Sequence, residues 1–332
     1  MTRRQRVLGR VLLAVVALVI VAYLVRDTGP RRVAEVIERA ARWLPLIIAL
    51  EMVQLGCDVV ALRTILREHA SKIPAATWLR TTAVSYAMMI LVPAGRAAGE
   101  VARAAMFSRF VGTPRAATTS TALQAGYLAA NGIVSLMAWA VVSTRFGPRE
   151  TLALLLAGNF VFQAIVASGL LAILRDARMG RWLGRIRRRL MPHAAESPPL
   201  DPVERRRIPW RACLVSTFGR TMQILQYGVI LHAVGGAFSL SNAVVAHGVH
   251  LVGATLGDML PNQAGVTDGA YRAFAVELGF SGEPARALSI ALVVRIAQLT
   301  LATACVVVAA IVPKQQAPDA ASSASARADA RS

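Results

Sequence analysis

The sequence is short of charged residues, and of acidic residues in particular. Only 17% of its 332 residues are charged, whereas 55% are hydrophobic; an average soluble domain has about 25% charged residues. The 18 Asp and Glu residues are outnumbered by 37 Lys and Arg residues, which gives a net charge of +19. This balance argues against an ordinary soluble domain, and the clustering of arginines between apolar runs is typical of the loops of membrane proteins.

Cysteine is also scarce, which argues against a disulfide framework. Cys57, Cys213 and Cys305 lie far apart inside apolar segments. Cysteines in such positions are usually small buried hydrophobic residues, and no close pair suggests a cysteine-ligated metal.

Long apolar runs are abundant, and about 20 mostly apolar residues suffice to cross a bilayer. Four arginines precede the apolar stretch Val11–Val25, which resembles a signal peptide, but no small-x-small cleavage site follows it. We therefore interpret it as an uncleaved first helix. The predicted spanning runs are Val7–Val25, Trp43–Leu62, Ala117–Thr144, Thr151–Leu174, Arg211–Val234 and Arg286–Val312.

Two further apolar regions, Leu79–Phe110 and Leu240–Phe280, are interrupted by proline and glycine. Both residue types disturb helical hydrogen bonding, and lipid tolerates a freed backbone group only where protein or a wet cavity satisfies it. Paired interruptions in two halves of a membrane protein point to a transport site. The predicted helix breaks are Pro93, Gly95, Gly99, Pro261 and Gly265.

The two interruptions also carry polar residues at similar spacing. Glu100 and Asp268 each follow their proline by seven residues, and Arg103 and Arg272 follow it by ten and eleven. Three further polar residues complete the predicted substrate-binding set: Arg96, Asn262 and Gln263.

Basic residues are distributed unevenly between the two predicted sides of the membrane. With a cytoplasmic N-terminus, the segment 175–211, which carries eleven arginines, is cytoplasmic. The same side receives Arg63, Arg67, Lys72, Arg80, Arg109 and Arg115. The outside receives Arg145 and Arg149, no basic residue between Gly235 and Ser241, and one group that dilutes the bias: Arg26, Arg31, Arg32, Arg39 and Arg42. The positive-inside rule therefore predicts an integral protein of the plasma (inner) membrane with both termini cytoplasmic.

This orientation places the first interrupted region on the cytoplasmic side and the second outside, as in inverted repeats. We predict an all-α polytopic membrane protein with about six spanning helices and two broken, re-entrant helical hairpins. One domain covers residues 1–312, with halves at about 1–174 and 211–312 joined by a basic cytoplasmic loop at 175–210. A disordered tail follows at 313–332. Two full crossings in place of each hairpin would preserve the same orientation, so that alternative stays open.

Further ionisable residues lie inside apolar runs. Glu51 and Asp58 share one helix face with Gln54, while Arg220 and Arg295 lie in two later runs. Charges at membrane depth usually face the bundle interior and pair with each other. We therefore predict that Arg220 or Arg295 neutralises Glu51 or Asp58. Such pairs would either line a site or only tie helices together.

No motif indicates an enzyme or a cofactor. The sequence has no Gly-x-Ser-x-Gly, His-Glu-x-x-His or P-loop. His247 and His250 are too few for a metal site, which needs three or four converging ligands, and we expect them to line a polar cavity. Acid–base chemistry by Glu100 and Asp268 is an alternative, but two similar sites favour transport. We predict no enzyme activity, no metal and no cofactor.

The interrupted segments resemble those of the lysylphosphatidylglycerol synthase transmembrane-region family, also called flippase-like integral membrane proteins. The resemblance extends from about Val7 to Val312. It is carried by Pro93-Ala94-Gly95-Arg96-Ala97-Ala98-Gly99-Glu100 with Arg103, and by Pro261, Gly265 and Asp268.

The resemblance implies a membrane domain that handles lipids. The best-studied members fuse it to a soluble aminoacyl-transfer domain, which this sequence lacks, so aminoacyl-lipid synthesis is not implied. Relatives without that domain are linked to flipping of polyprenyl-phosphate sugars or to hopanoid and other lipid handling. The second motif departs from the family pattern, because Asn262 and Gln263 stand where glycine is favoured and Asp268 stands where glutamate is favoured.

These features predict a translocase for a lipid or a lipid-linked headgroup. We expect Arg96, Arg103 and Arg272 to bind an anionic, phosphate-bearing headgroup, because a guanidinium group matches phosphate bidentately. Glu100 and Asp268 would orient these arginines or bind a cationic headgroup or a coupling proton. The expected partners are membrane lipids and not nucleic acid. The alternative is a non-transporting membrane scaffold or regulator of lipid or envelope biosynthesis.

Overall fold

The computed structural model describes residues 26, 30–175, 210–313 and 315. Within these residues the fold is entirely helical, with ten α-helices and no strand, so the prediction of an all-α protein is confirmed. The helices are α1 (Pro30–Ala41), α2 (Leu44–Leu66), α3 (Ala75–Leu91), α4 (Gly95–Val111), α5 (Thr113–Phe146), α6 (Thr151–Arg175), α7 (Trp210–Ala233), α8 (Leu240–Gly257), α9 (Val266–Ala273) and α10 (Pro284–Ile311).

Four helical segments are long and apolar enough to cross a membrane: Leu44–Lys72, Thr113–Phe146, Thr151–Leu174 and Pro284–Ile311. They coincide with four of the six predicted runs. The fifth run forms α7, which is not among these four segments because polar side chains such as Arg220, Gln223 and Gln226 lower its hydropathy. The first run, most of the basic loop and almost all of the tail lie outside the described residues.

The first interrupted region folds into a hairpin of two antiparallel helices, α3 and α4. Pro93 disfavours helical geometry at the residue before it, and Val92 is extended (φ −114°, ψ 141°). Ala94 is left-handed at φ 52°. A Cβ at Gly95 would collide with the Met89 carbonyl oxygen, and one at Gly99 would lie 2.7 Å from the Ser85 carbonyl oxygen. Glycine at both positions therefore lets α4 pack directly on α3.

The second interrupted region also turns back on itself, but its second arm is much shorter. α8 ends at Gly257, and α9 has only eight residues. The turn between them bends through left-handed residues, with φ values of 46° at Asn262 and 53° at Gln263. A Cβ at Gly253 would lie 3.0 Å from the Thr267 Cα atom, so this hairpin, too, depends on glycine for close packing.

Contacts between helix ends define two opposite ends of the bundle. At one end, Arg80 of α3 donates to the carbonyl of Val312, just beyond α10. At the other end, Arg145 of α5 donates to Ser241 and Asn242 of α8. Arg286 of α10 donates to the carbonyl of Gly235 at this second end, over 3.2 Å. The outer ends of the two hairpins therefore lie at opposite ends of the bundle.

The core lies mainly between α5, α6, α7, α8 and α10. Side chains such as Leu152, Ile230 and Ile290 are fully buried there. The opposite face of α6 exposes large apolar side chains, including Ile165, which is 65% exposed. An apolar surface of this kind suits lipid contact better than water, in agreement with the predicted membrane location.

The α3–α4 contact yields a stability prediction. Replacing glycine with alanine inside a helix usually stabilises the helix by about 1 kcal/mol. A Cβ at Gly99, however, would press on a backbone oxygen that cannot move away freely. Overpacking of this kind costs about 1–3 kcal/mol. We expect Gly99→Ala to lower the melting temperature of the protein in detergent micelles.

Gly56 on α2 is the matched control, because nothing lies within 4 Å of the position that a Cβ would take there. Gly56→Ala should leave the melting temperature unchanged or raise it. Equal melting temperatures for the two variants would show that α3 and α4 leave room for a methyl group at position 99.

Candidate functional site

A cavity lies where the turns of the two hairpins approach each other. The first hairpin contributes α4 residues from Gly95 to Arg103, and the second contributes the stretch from Asp258 to Gln263. Side chains of α2, α3, α5, α7, α8 and α10 complete the wall. The cavity has about 90 Å³ of room for the centres of water molecules, which is enough for several waters or a small polar group. The two interruptions therefore meet at one site.

Charged residues of both signs line this cavity. Its cationic side chains are Arg96, Arg103 and Arg220, and its carboxylates are Glu51, Asp58, Glu100 and Asp258. Because charges are costly at membrane depth unless they are paired or hydrated, the partners of each group indicate what the cavity can bind.

Glu100 and Arg103 form an ion pair along α4, with 2.6 Å between the Arg103 Nη1 and Glu100 Oε1 atoms. Their side chains are mostly buried, at 19% and 8% exposure. The second carboxylate oxygen of Glu100 is buried without a hydrogen-bond partner among the described residues. Glu100 therefore orients Arg103 with one oxygen and keeps the other available to a donor in the cavity.

Glu51 is held by neutral groups. The Tyr86 hydroxyl donates to Glu51 Oε1 over 3.1 Å, and the Gln226 amide donates to Oε2 over 2.9 Å. Arg220, one of the predicted partners, interacts with Glu51 electrostatically, but the direct hydrogen bonds to the carboxylate come from Tyr86 and Gln226. Tyr86 and Gln226 reach the carboxylate from the neighbouring helices α3 and α7, and they satisfy it by hydrogen bonding.

Asp58 and Arg220 lie near each other on the cavity wall. Asp58 interacts electrostatically with Arg220 and Arg103 and with the hydroxyl of Tyr127. The guanidinium group of Arg220 donates to Gln223 and stacks over the Tyr127 ring at 5.1 Å. Its Nε atom is buried without a partner among the described residues. Arg220 thus retains donor capacity toward the cavity.

Arg96 is the cation that the protein leaves most available. It lines the cavity from the first turn of α4. Within the described part of the chain, no ion pair or hydrogen bond engages its side chain. Arg220 and Arg96 repel each other electrostatically, so an anion between them would relieve that repulsion.

Several other polar atoms of the cavity wall are also buried without a partner among the described residues. They are Ser85 Oγ, Gln124 Oε1 and Asn262 Nδ2. Buried polar atoms in native proteins are nearly always hydrogen-bonded to protein, water or a ligand. With Arg96, Arg220 and Glu100, they supply both donors and acceptors, which suits a polar ligand better than an apolar one.

Asp268 has a different environment from Glu100, although the two occupy matching positions in the motifs. It is fully buried and accepts two hydrogen bonds from Arg295 of α10, over 2.8 and 2.6 Å. The Asp268 carboxylate also accepts a hydrogen bond from the backbone N–H of Gly265, over 2.7 Å, and so caps the start of α9. Neither Asp268 nor Arg272 is among the described residues that line the cavity. Arg295, predicted to neutralise Glu51 or Asp58, is instead the partner of Asp268.

The two histidines have different environments in the structure, although their ring centroids are 6.3 Å apart. His250 lines the cavity as predicted, together with Asp258, Gln54 and Gln298. His247 is fully buried and stacks on Tyr227, with 5.1 Å between ring centroids. Within the described ranges, no three His, Cys, Asp or Glu side chains converge in a way that could hold a metal ion.

The Asp268–Arg295 pair yields a second prediction. Removing one partner of a buried ion pair leaves an uncompensated charge and costs about 3–5 kcal/mol. Arg295→Ala should therefore reduce the folded fraction strongly, and adding Asp268→Asn should restore part of it. Glu51→Gln added to Arg295→Ala is the control and should restore nothing. Rescue by Glu51→Gln in place of Asp268→Asn would contradict the pairing.

Comparison with known proteins agrees with the features described above. No curated protein and no solved structure is significantly similar to the chain. The family model described as "Lysylphosphatidylglycerol synthase TM region" matches residues 7–305. This range includes both hairpins and every described helix except the end of α10. A membrane-embedded, lipid-related domain is consistent with the apolar helices and with the polar cavity between the hairpins. The chain therefore belongs to the lysylphosphatidylglycerol synthase transmembrane-region family.

Proposed function

We propose that the protein is a translocase that moves a phosphate-bearing lipid headgroup, or a lipid-linked one, across the plasma membrane. The observation that carries the proposal is the guanidinium group of Arg96, which lines a cavity between two hairpin turns and has no partner among the described residues. A protein that only needed rigid packing would neutralise such a cation or replace it with an apolar residue, because an unpaired charge at membrane depth is expensive.

The cavity offers groups for both the anionic and the donor parts of a headgroup. Arg96 and the free Nε atom of Arg220 would bind phosphate oxygens through charge-assisted hydrogen bonds. The free oxygen of Glu100 and the carboxylate of Asp258 would accept hydrogen bonds from hydroxyl or amine groups of the same headgroup. Together these groups would replace the hydration shell that the headgroup loses on leaving water.

We further infer that the two halves have inverted topology, with both termini cytoplasmic. The contacts of Arg80 with Val312 and of Arg145 with Asn242 support this orientation, because they put the outer ends of the hairpins at opposite ends of the bundle. In that arrangement each hairpin would enter from its own side and its turn would reach the shared cavity. A headgroup would then meet the same polar groups from either leaflet as the bundle rocks about the site.

The rival function is a non-transporting membrane scaffold or regulator. The observation in its favour is that the charges of the second motif are used internally, since Asp268 binds Arg295 and caps α9. A scaffold would need both motifs only for the shape of the hairpins, so the charge of Arg96 would be dispensable.

A transport assay distinguishes the two functions. The purified protein would be reconstituted in liposomes with tail-labelled phospholipids, carrying phosphoglycerol or phosphoethanolamine headgroups. Loss of a charged hydrogen bond costs about 1.5–3 kcal/mol, so Arg96→Gln should slow translocation of the transported headgroup by about tenfold to a hundredfold. Its melting temperature should stay near that of the unchanged protein, because Arg96 does not hold the fold together.

Arg149→Gln is the matched control, because Arg149 is exposed and lies outside the cavity; it should transport normally. Glu100→Gln should also slow translocation, because Arg103 loses its partner. Translocation by Arg96→Gln at the rate of the unchanged protein would exclude the transport site and favour the scaffold.

The orientation has its own test by cysteine labelling in intact cells. The three native cysteines would first be replaced by serine. Ala237→Cys and Ser71→Cys then introduce exposed thiols near opposite ends of the bundle. The positive-inside rule predicts that an impermeant maleimide labels position 237 from outside and labels position 71 only after lysis. The reverse pattern would contradict the cytoplasmic termini, and labelling of both positions from outside would contradict the inverted topology.

A further inference from the structure

A second cavity lies at the outer end of the first hairpin, away from the turn. It is a groove between α3 and α4 with about 300 Å³ of room for the centres of water molecules. Its walls are formed by Thr77, Arg80 and Val84 of α3 and by Met106, Arg109 and Phe110 of α4, and Gln315, beyond α10, also lines it. This α3–α4 groove shares no described lining residue with the central cavity, so it requires a separate explanation.

Two arginines face this groove from opposite helices. Arg109 is exposed, and no described residue forms an ion pair or hydrogen bond with its side chain. Arg80 is partly buried and uses one guanidinium nitrogen, Nη1, to donate to the Val312 carbonyl. A guanidinium group has five donors, so both arginines retain donors for an anion that lies between them.

The surroundings of the groove reinforce its positive charge. The end of α2 and the 3-10 helix after it contribute Arg63, Arg67 and Lys72, against Glu68. Arg63 stacks over the Trp78 ring at 5.3 Å, which places α2's basic end beside the start of α3. An anion would therefore be attracted to this end of the bundle before it reaches the groove.

Apart from Thr77 and Gln315, the remaining lining is apolar. Val84 lies about one turn from Arg80, Met106 lies about one turn from Arg109, and Phe110 directly follows Arg109. A free inorganic anion would gain nothing from such a wall, whereas an amphiphile would bury its first methylene groups there. Basic pockets between membrane helices are known binding sites for anionic lipid headgroups.

We propose that the α3–α4 groove binds one anionic phospholipid as a site distinct from the central cavity. The phosphate lies between Arg80 and Arg109, and the first carbons of an acyl chain lie along Val84, Met106 and Phe110. Because Arg80 also holds the carbonyl at the end of α10, the bound lipid connects the outer end of the hairpin to that helix. This site does not depend on whether the protein transports lipid.

Native mass spectrometry of the purified full-length protein tests the site. Dioleoyl phosphatidylglycerol or dioleoyl phosphatidylcholine would be titrated into the detergent-solubilised protein. The unchanged protein should retain one phosphatidylglycerol molecule at concentrations where it retains little phosphatidylcholine. The double variant Arg80→Gln/Arg109→Gln should bind that first phosphatidylglycerol at least tenfold more weakly.

Two further variants separate a built site from general surface charge. Arg67→Gln/Lys72→Gln removes two positive charges from the same end of the bundle but outside the groove, and it should keep the bound lipid. Met106→Trp keeps both arginines but fills the apolar part of the groove, and it should lose the lipid. The single variant Arg109→Gln, at an exposed residue, should weaken binding even if the double variant does not fold.

Three results would overturn the proposal. Equal losses in the two double variants would mean that the lipid is held only by surface charge. Equal retention of phosphatidylcholine would mean that the headgroup charge is not recognised. Displacement of the lipid by millimolar inorganic phosphate, with Met106→Trp binding normally, would mean that the groove is a site for the free anion.

Discussion

The structure depends on the requirement that every backbone polar group inside a membrane must be satisfied. An uninterrupted helix meets this requirement within itself, but a helix broken by proline and left-handed residues does not. Here both breaks occur where they can be supported, at turns that face a polar cavity and pack against neighbouring helices. Gly95 and Gly99 allow the first hairpin to close, and Gly253 does the same for the second. The cavity and the broken helices are therefore parts of one arrangement.

The charged residues of the bundle fall into two groups, according to whether a partner within the protein satisfies them. Asp268 and Arg295 satisfy each other in a buried, bidentate pair and hold α9 against α10. Glu100 and Arg103 also pair, but at the cavity, where one oxygen of Glu100 is free. Arg96 has no comparable partner among the described residues. The first hairpin thus presents the available cation to the cavity, while the second contributes Asp258 and the side-chain amides of its turn.

This asymmetry is consistent with the departures of the second motif from the family pattern. A glycine-rich turn would leave backbone groups open to the cavity, whereas Asn262 and Gln263 fill the turn with side chains that line it. The shorter Asp268 carboxylate caps α9 through Gly265. Under the proposed function, the first hairpin would hold the headgroup and the second would adjust the shape of the site.

The sequence by itself determined the helical class, the position of both hairpins and the family, because hydropathy, proline and glycine act locally along the chain. It also singled out Glu51, Asp58 and Arg220 as ionisable residues inside apolar runs, but it left open whether they line a site or only tie helices together. Only the tertiary structure decided which charges meet. Arg295 pairs with Asp268 and not with Glu51, because partner choice depends on how helices distant in sequence rotate and pack against each other. The same packing, which no local pattern encodes, left Arg96 without a partner among the described residues at the central cavity.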